Sequence, residues 1–418
     1  MAAVTVTYKD KKHRLQLLVA QGTGPSLLGR DWFEPLGISV ICKLQVASPV
    51  SLGDSVKAEI PDVFQPGLGT FTGPAVSLTL LPNAIPKFMR YRPVAFALQA
   101  KVVEEIDRLV GEGVWEPVSD SKWATPIVPV LKRDGTIRLC ADYRATVNPA
   151  VATDVYPLLT LDEALAALSG GKYFTKLDLR NAYTQVPVDE AASEVLTVNT
   201  PCGLFRVKRL PFDLKAAPGI FQRLMMSLMK GLKGVIVLLD DILVIGASEA
   251  EHDCRVRSVL LRLKNAGLRL KGEKCVFAAL ELQFLGHTVS ARGIRPTDEK
   301  VQAIKNVPVP KNKTELQAFL GLLNFYDRFL PNRAHVLEPL YRLLKQNLRW
   351  SWNKAADTAF HKAKELLSSS SCLTLYDGNR PLVVTCDASS VGVGAVMSHV
   401  NDDGGEHLSS PDWSVTIG

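Results

Sequence analysis

VIVLLDDILVI, residues 235 to 245, consists of two apolar runs separated by nothing except Asp240 and Asp241. Short runs rich in Val, Ile and Leu read as buried strands, so the two aspartates fall in the turn of a hairpin. Neither can swing away without unburying a strand, and solvent is the ordinary answer to their repulsion because Asp favours turns. A third acid changes that balance. KYFTKLDL, residues 172 to 179, is a further strand that holds Asp178 among apolar neighbours and is followed by NAYTQVPV. Three carboxylates converging from two strands make an all-oxygen site for two hard cations, with Mg2+ the natural choice and Mn2+ an alternative. Two such ions activate a hydroxyl and stabilise a pyrophosphate leaving group, which is the chemistry of in-line phosphoryl transfer.

Outward from this hairpin, PIVPVLKRDGTIRLCADY (126 to 143) places Asp134-Gly135 between two strand-like runs, a strong hairpin signal. Its cations Lys132, Arg133 and Arg138 suit a triphosphate, although a solvated charged hairpin is an equally cheap reading. Leu98, Val102, Ile106 and Leu109 recur at helical spacing and predict a helix over 96–110 with Gly111 as its stop. Ser248 with Glu251, and Thr314 with Gln317, read as capping boxes ahead of two more helices. Residues 49–93, rich in Pro and Gly, read as a connector. Strands and helices mix without regular alternation, so the fold class is α+β.

At 418 residues, with 47% hydrophobic and 22% charged residues, the chain reads as a globular protein of three or four units. A formal charge of +7 favours a polyanionic partner only weakly. Seven scattered cysteines without a Cys-x-x-Cys pair argue against a disulfide framework or a structural zinc site, and imply a reducing, intracellular setting. MAAVTVTYKDKKHR has no apolar core of a signal peptide, and no apolar run is long enough for a membrane span.

LDLRNAY, RLPFDLKAAPGIFQR, LLDDILV, KCVF and FLGH stand in the order found in reverse transcriptases, and the chain resembles gypsy-class LTR-retrotransposon Pol polyproteins from near residue 1 to about residue 407. The resemblance implies a right-hand polymerase (fingers, palm, thumb) with a small β-rich N-terminal remnant and a partial RNase H-like α/β C-terminus. Its expected divisions are 1–45, a retropepsin C-terminal remnant carrying PSLLGRDWF (25 to 33); 46–94, the connector; 95–290, fingers and palm; 291–371, thumb and connecting helices; and 372–418, a truncated RNase H-like domain. The implied activity is RNA-directed DNA polymerisation with two Mg2+ ions. The partners are an RNA template, a DNA primer, the RNA-DNA hybrid and dNTPs, and the setting is a cytoplasmic retroelement particle.

Asp178, Asp240 and Asp241 match the catalytic metal ligands of that family. Tyr183 resembles the aromatic gate that rejects a ribose 2′ hydroxyl, with a plain core tyrosine as the alternative. Lys132 and Arg138 match residues that hold the incoming triphosphate, Gln222 one that lines the nucleotide pocket, and Lys274 a further nucleotide-site residue. Phe284, Leu285 and Gly286 of FLGH resemble the primer grip, with a simple buried strand as the alternative. Asp387 matches the first metal ligand of an RNase H site.

Several departures oppose activity. No Asp-Thr-Gly or Asp-Ser-Gly occurs, so aspartic protease activity is expected to be absent; EHLSSPDWSVTIG (406 to 418) leaves the RNase H pattern after about Glu406, so RNase H activity is expected to be absent too. Leu238 stands where the family usually has Tyr. Asp213 stands where the family has Gly, adding bulk and negative charge beside a polyanion, and a backbone cost of about 1 kcal/mol or more if the position needs positive φ. These departures favour a second reading, a catalytically inactive relic or co-opted nucleic-acid-binding protein.

Overall fold

The computed structural model describes residues 2–8, 11–17, 51–132, 134–152, 156–157, 159–330, 333–345, 349–368, 373, 381–389, 392–400, 406–408 and 413–416. The chain divides into two units, Met1–Ser51 and Leu52–Gly418. In the first, strands β1 (Ala2–Tyr8) and β2 (Lys11–Leu17) form an antiparallel hairpin. PSLLGRDWF at 25–33 and Arg133 of the basic hairpin lie outside the described residues.

The second unit opens on the helix Leu52–Glu59, inside the stretch expected to be a plain connector. From there to residue 95 the chain is bound to the body almost throughout. Thr70 and Thr72 donate their amides to the carbonyls of Gly267 and Ala266, and single bridges join Val76 to Val188, Leu80 to Val151 and Phe88 to Ala124. The connector is therefore a strap, held by partners distant in sequence. Helix Phe96–Gly111 follows, burying Val102 and Ile106 on its expected apolar face.

Strands β3 (Trp115–Val118), β4 (Thr125–Leu131) and β5 (Ile137–Ala141) begin the fingers. Asp134-Gly135 turns the β4–β5 hairpin as expected, and Gly135 takes φ +81°, a conformation that suits glycine. After β6 (Tyr173–Asp178), strands β7 (Val198–Thr200) and β8 (Gly203–Val207) complete a five-stranded sheet of order β3-β8-β7-β4-β5. Strands β9 (Val235–Leu238), β10 (Asp241–Gly246) and β11 (Val276–Ala279) then join β6 in the palm sheet, order β11-β6-β10-β9.

Alternation along these palm strands feeds two cores. Leu177, Val237, Ile242 and Val244 enter one core with the fingers and with helices Ala217–Met229 and Glu249–Asn265. Phe174, Ile236, Leu243 and Ile245 enter the other, shared with the three-stranded sheet β12 (Glu281–Phe284), β13 (His287–Ser290) and β14 (Gly293–Pro296). Helices Asp298–Lys305, Lys313–Phe325, Arg333–Leu344 and Lys354–Ser368 pack on this second core, at the place of the expected thumb.

Capping partly departs from expectation. Ser248 accepts the amide of Glu251, one half of the expected box, while the Glu251 carboxylate accepts from the Ala247 amide; the helix at 313 is capped by Asn312, which accepts from Glu315, rather than by Thr314 with Gln317. Thr160 and Glu163 form a full capping box that the sequence reading missed. Beyond the thumb, β15 (Leu382–Ser389), β16 (Gly392–Val400), β17 (Glu406–Leu408) and β18 (Trp413–Thr416) pair around β16.

Candidate active site

The palm sheet brings two of the three aspartates together by register. Asp178 ends β6, Asp241 begins β10, and the two are direct cross-strand partners. Asp240 occupies the turn, next to Leu239, whose φ of +52° is an uncommon conformation for a branched side chain. Gln222 holds that strained turn: its Nε2 donates to the carbonyl of Val237 (2.7 Å) and its Oε1 accepts from the amide of Leu239 (2.8 Å). Gln222 is only 1% exposed, and both ends of its amide bond the backbone. The expectation that it lines the nucleotide pocket is thus corrected: it is a buried clamp on the turn.

Electrostatics single out Asp240. Its Oδ1 is buried without a hydrogen-bond partner, and burial, followed by the charges of Asp241 and Asp178, pushes its carboxyl up to about 6. The other two acids have counter-ions. Lys176 Nζ lies 2.8 Å from Asp241, and Lys274 Nζ lies 3.7 Å from Asp178. Lys274 thus reaches the carboxylates themselves. Lys176 was missed, although it sits two residues before Asp178 and so on the same strand face. Hard oxygen donors, one orphaned buried oxygen and excess negative charge fit a divalent cation. Among the described residues no group of three or more potential ligands is already assembled around a metal position, and two of the three carboxylates are paired with lysines.

A cavity of about 680 Å³ opens beside the fingers sheet and is lined by Lys132, Arg138, Cys140, Asn181, Phe212 and Asp213 among others; the three aspartates are not among its lining residues. Lys132 and Arg138 thus line one space. The Arg138 guanidinium lies 5.9 Å from the centre of the Phe212 ring. Tyr183 lies behind that ring, 5% exposed, with ring centres 4.5 Å from Phe212 and 4.8 Å from Phe221. Burial and the charge of Asp240 push its phenol up to about 12, so the hydroxyl is neutral and close enough to sense the carboxylates.

Asp213 is exposed in a turn and is not among the residues with positive φ. The backbone cost considered from sequence therefore does not arise, and only bulk and charge remain. That charge is felt: with burial as the main cause, Asp213 helps raise the Cys140 thiol. Leu238 packs partly buried against the second core, where an apolar side chain is at home.

The FLGH segment is a hairpin turn, with Leu285 at φ +48° and Gly286 at φ +76°. Phe284 is 1% exposed and belongs to the core, so the turn at Leu285 and Gly286 is what the segment offers outward. Tyr326 donates its hydroxyl to the Gly286 carbonyl at 3.1 Å, tying this turn to the thumb. Asp387 lies on β15 opposite Gly394; its side chain lies outside the described residues.

Comparison with known proteins follows this geometry. Residues 130–289 match the family described as reverse transcriptase (RNA-dependent DNA polymerase), and residues 352–410 match an RNase H-like domain found in reverse transcriptase. An uncharacterized protein of Caenorhabditis elegans is 35% identical over 316 residues, covering 73% of this chain and 25% of that protein. The transposon Tf2-3 polyprotein of Schizosaccharomyces pombe is 35% identical over 282 residues, covering 67% of this chain and 21% of the polyprotein. The chain thus spans about a quarter of the length of these relatives. Among solved structures, the foamy viral protease-reverse transcriptase in complex with double-stranded DNA superposes with a TM-score of 0.79 at 25% identity, over 87% of this chain and 76% of that one. The same viral protein with an RNA/DNA hybrid gives a TM-score of 0.75 at 24% identity, over 98% of this chain and 54% of that one.

Proposed function

The chain belongs to the reverse transcriptases of retrotransposon polyproteins, and on that premise we propose that it is an RNA-directed DNA polymerase of the gypsy class, extending a DNA primer along an RNA template. The observation that carries this reading is the buried, unpartnered oxygen of Asp240 between two further carboxylates at the end of the palm sheet. Asp178, Asp240 and Asp241 would hold two Mg2+ ions, with Mn2+ a substitute. Bound there, the ions supply Lewis acidity to the primer 3′ hydroxyl and to the departing pyrophosphate.

The chain's own groups do the rest. Lys132 and Arg138 neutralise the triphosphate of a dNTP in the cavity that they share. Tyr183, locked by Phe212 and Phe221, presents a rigid ring edge against a 2′ hydroxyl. Lys274 and Lys176 balance the carboxylates when no ion is bound and turn to phosphate when one is. Leu285 and Gly286 press on the primer backbone, with Tyr326 holding the turn in place. Among the described residues no helix is long and apolar enough to cross a membrane, and a cytoplasmic retroelement particle is the proposed setting. We further infer no aspartic protease cleavage by these residues, which contain no Asp-Thr-Gly or Asp-Ser-Gly.

One observation favours a second reading, an inactive relic that still binds nucleic acid. Asp213 puts a carboxylate into the wall of the cavity that Lys132 and Arg138 line. Incorporation of labelled dNTP on a primed homopolymer RNA, with Asp240→Asn as the control, separates the two readings. Activity above the control supports the polymerase; activity equal to it supports the relic. If Asp213 is the main defect, Asp213→Gly then raises incorporation.

A further inference from the structure

We propose that Gln185 is a positioning residue for nucleotide selection: buried behind the site, it fixes Tyr183, Lys274 and Phe212 relative to one another. This rests on the polymerase reading above, because those residues share a task only in a nucleotide site. Gln185 closes the short helical turn Ala182–Gln185 that carries Tyr183, and it is 0% exposed.

Its side-chain amide is fully engaged. Nε2 donates to the carbonyls of Arg180 (2.7 Å) and Arg269 (2.9 Å), and Oε1 accepts from the Arg269 amide (2.7 Å). The backbone reinforces this junction: the Arg180 amide donates to the Arg269 carbonyl (3.0 Å), and the Lys271 amide to the Asp178 carbonyl (2.8 Å). Residues 269–271 are thus stitched to 178–180, and they lead to Lys274, whose Nζ lies 3.7 Å from Asp178. A second arm leaves the Gln185 carbonyl, which accepts from the Phe71 amide (2.8 Å) and from Arg209 Nη1 (3.3 Å). Arg209 Nη2 also donates to Thr70 Oγ1 (2.9 Å), and shortly beyond Arg209 the ring of Phe212 lies against Tyr183.

The turn of Tyr183, the segment of Lys274 and the strap therefore meet at one residue. A Cβ at Gly69 would collide with Gln185 Oε1 and come within 2.7 Å of the Gly267 carbonyl, so the strap backbone lies directly on this clamp. Gln185, Gly69 and Thr70 are not among the residues that line the cavity. Their influence on a bound nucleotide is exerted through the placement of other groups, and small misplacements far from the chemistry are costly. A buried amide with all of its bonds made gives that placement a single solution.

The test uses the full chain on a primed RNA template with a dideoxy-terminated primer, so that nucleotide binding is read without turnover. Gln185→Met keeps the length of the side chain and removes its bonds, and Gly69→Ala presses on the clamp from the strap. Each is expected to weaken dNTP binding about tenfold, and to lower the preference for dNTP over rNTP by a similar factor. Primer-template affinity stays unchanged. Should either variant fail to fold, Thr70→Val removes only the Arg209 bond, from an exposed position, and moves both readouts in the same direction by less. Unchanged dNTP affinity and preference in the folded variants overturn the proposal. So does an equal loss of primer-template affinity, which marks a merely structural role. Failure of the polymerase reading looks different: wild-type incorporation equals that of Asp240→Asn while the binding differences persist. A wild-type complex that binds no dNTP overturns both.

Discussion

At Asp240 burial, joined by the charges of Asp241 and Asp178, holds a proton up to about pH 6, against 3.8 for an ordinary Asp. A raised carboxyl means that the native state binds this proton more tightly than the unfolded chain does. Stability of the metal-free chain is therefore highest below pH 4 as far as this group is concerned, and falls as pH rises through about 6. The thermal midpoint of the metal-free chain should accordingly fall across that window more than that of Asp240→Asn, and Mg2+ at neutral pH should raise the wild-type midpoint more than the variant's. Gln222 supports the same turn. Gln222→Ala strands the Val237 carbonyl and the Leu239 amide, which costs about 1–3 kcal/mol in urea denaturation and lowers incorporation by loosening the turn that carries Asp240. The three aspartates were legible because apolar runs leave acids nowhere else to go. The clamp was not, because a glutamine that bonds backbone and one that lines a pocket look the same in sequence. Lys176 could have been found from the period of two in KLDL.

Among the elements, those with a local cause read correctly. Asp134-Gly135 dictates its turn, and the spacing of Leu98, Val102 and Ile106 dictates its helix. The cap at 313 moved because Asn312 with Glu315 offers the same side-chain-to-amide bond two residues earlier, and Asn caps at least as well as Thr. The strap was illegible for a different reason: its bonds run to Val188, Val151 and Ala124, and a pairing across such distances leaves no periodicity in the strap itself. The turn at Leu285 and Gly286 joins both kinds of cause. At Gly286 the backbone takes φ +76°, and an added Cβ would meet the Tyr326 hydroxyl at 3.2 Å. Gly286→Ala should therefore destabilise the chain by about 1 kcal/mol or more and release the Tyr326 contact, which a thermal melt and the primer dissociation rate would report together. An unchanged melt would show that the turn tolerates a side chain.

On the scale of the whole molecule, one sheet serves two cores and carries the acids at its end. Leu177 and Ile242 face the fingers-side core, and Phe174 and Leu243 face the thumb-side core, so both halves must fold for Asp178 and Asp241 to meet. Leu177→Ala and Leu243→Ala, on opposite faces, should each cost about 2–5 kcal/mol and each reduce incorporation, measured by denaturation and primer extension on the same samples. A loss confined to one of them would mean that only one core supports the site. The decisive measurement is dNTP incorporation by the full chain on a primed RNA template with Mg2+, run beside Asp240→Asn. Extension by the wild-type chain well above the variant is the expected result. Extension no greater than the variant's, with both proteins folded, would contradict the assignment of the three aspartates to a working polymerase centre.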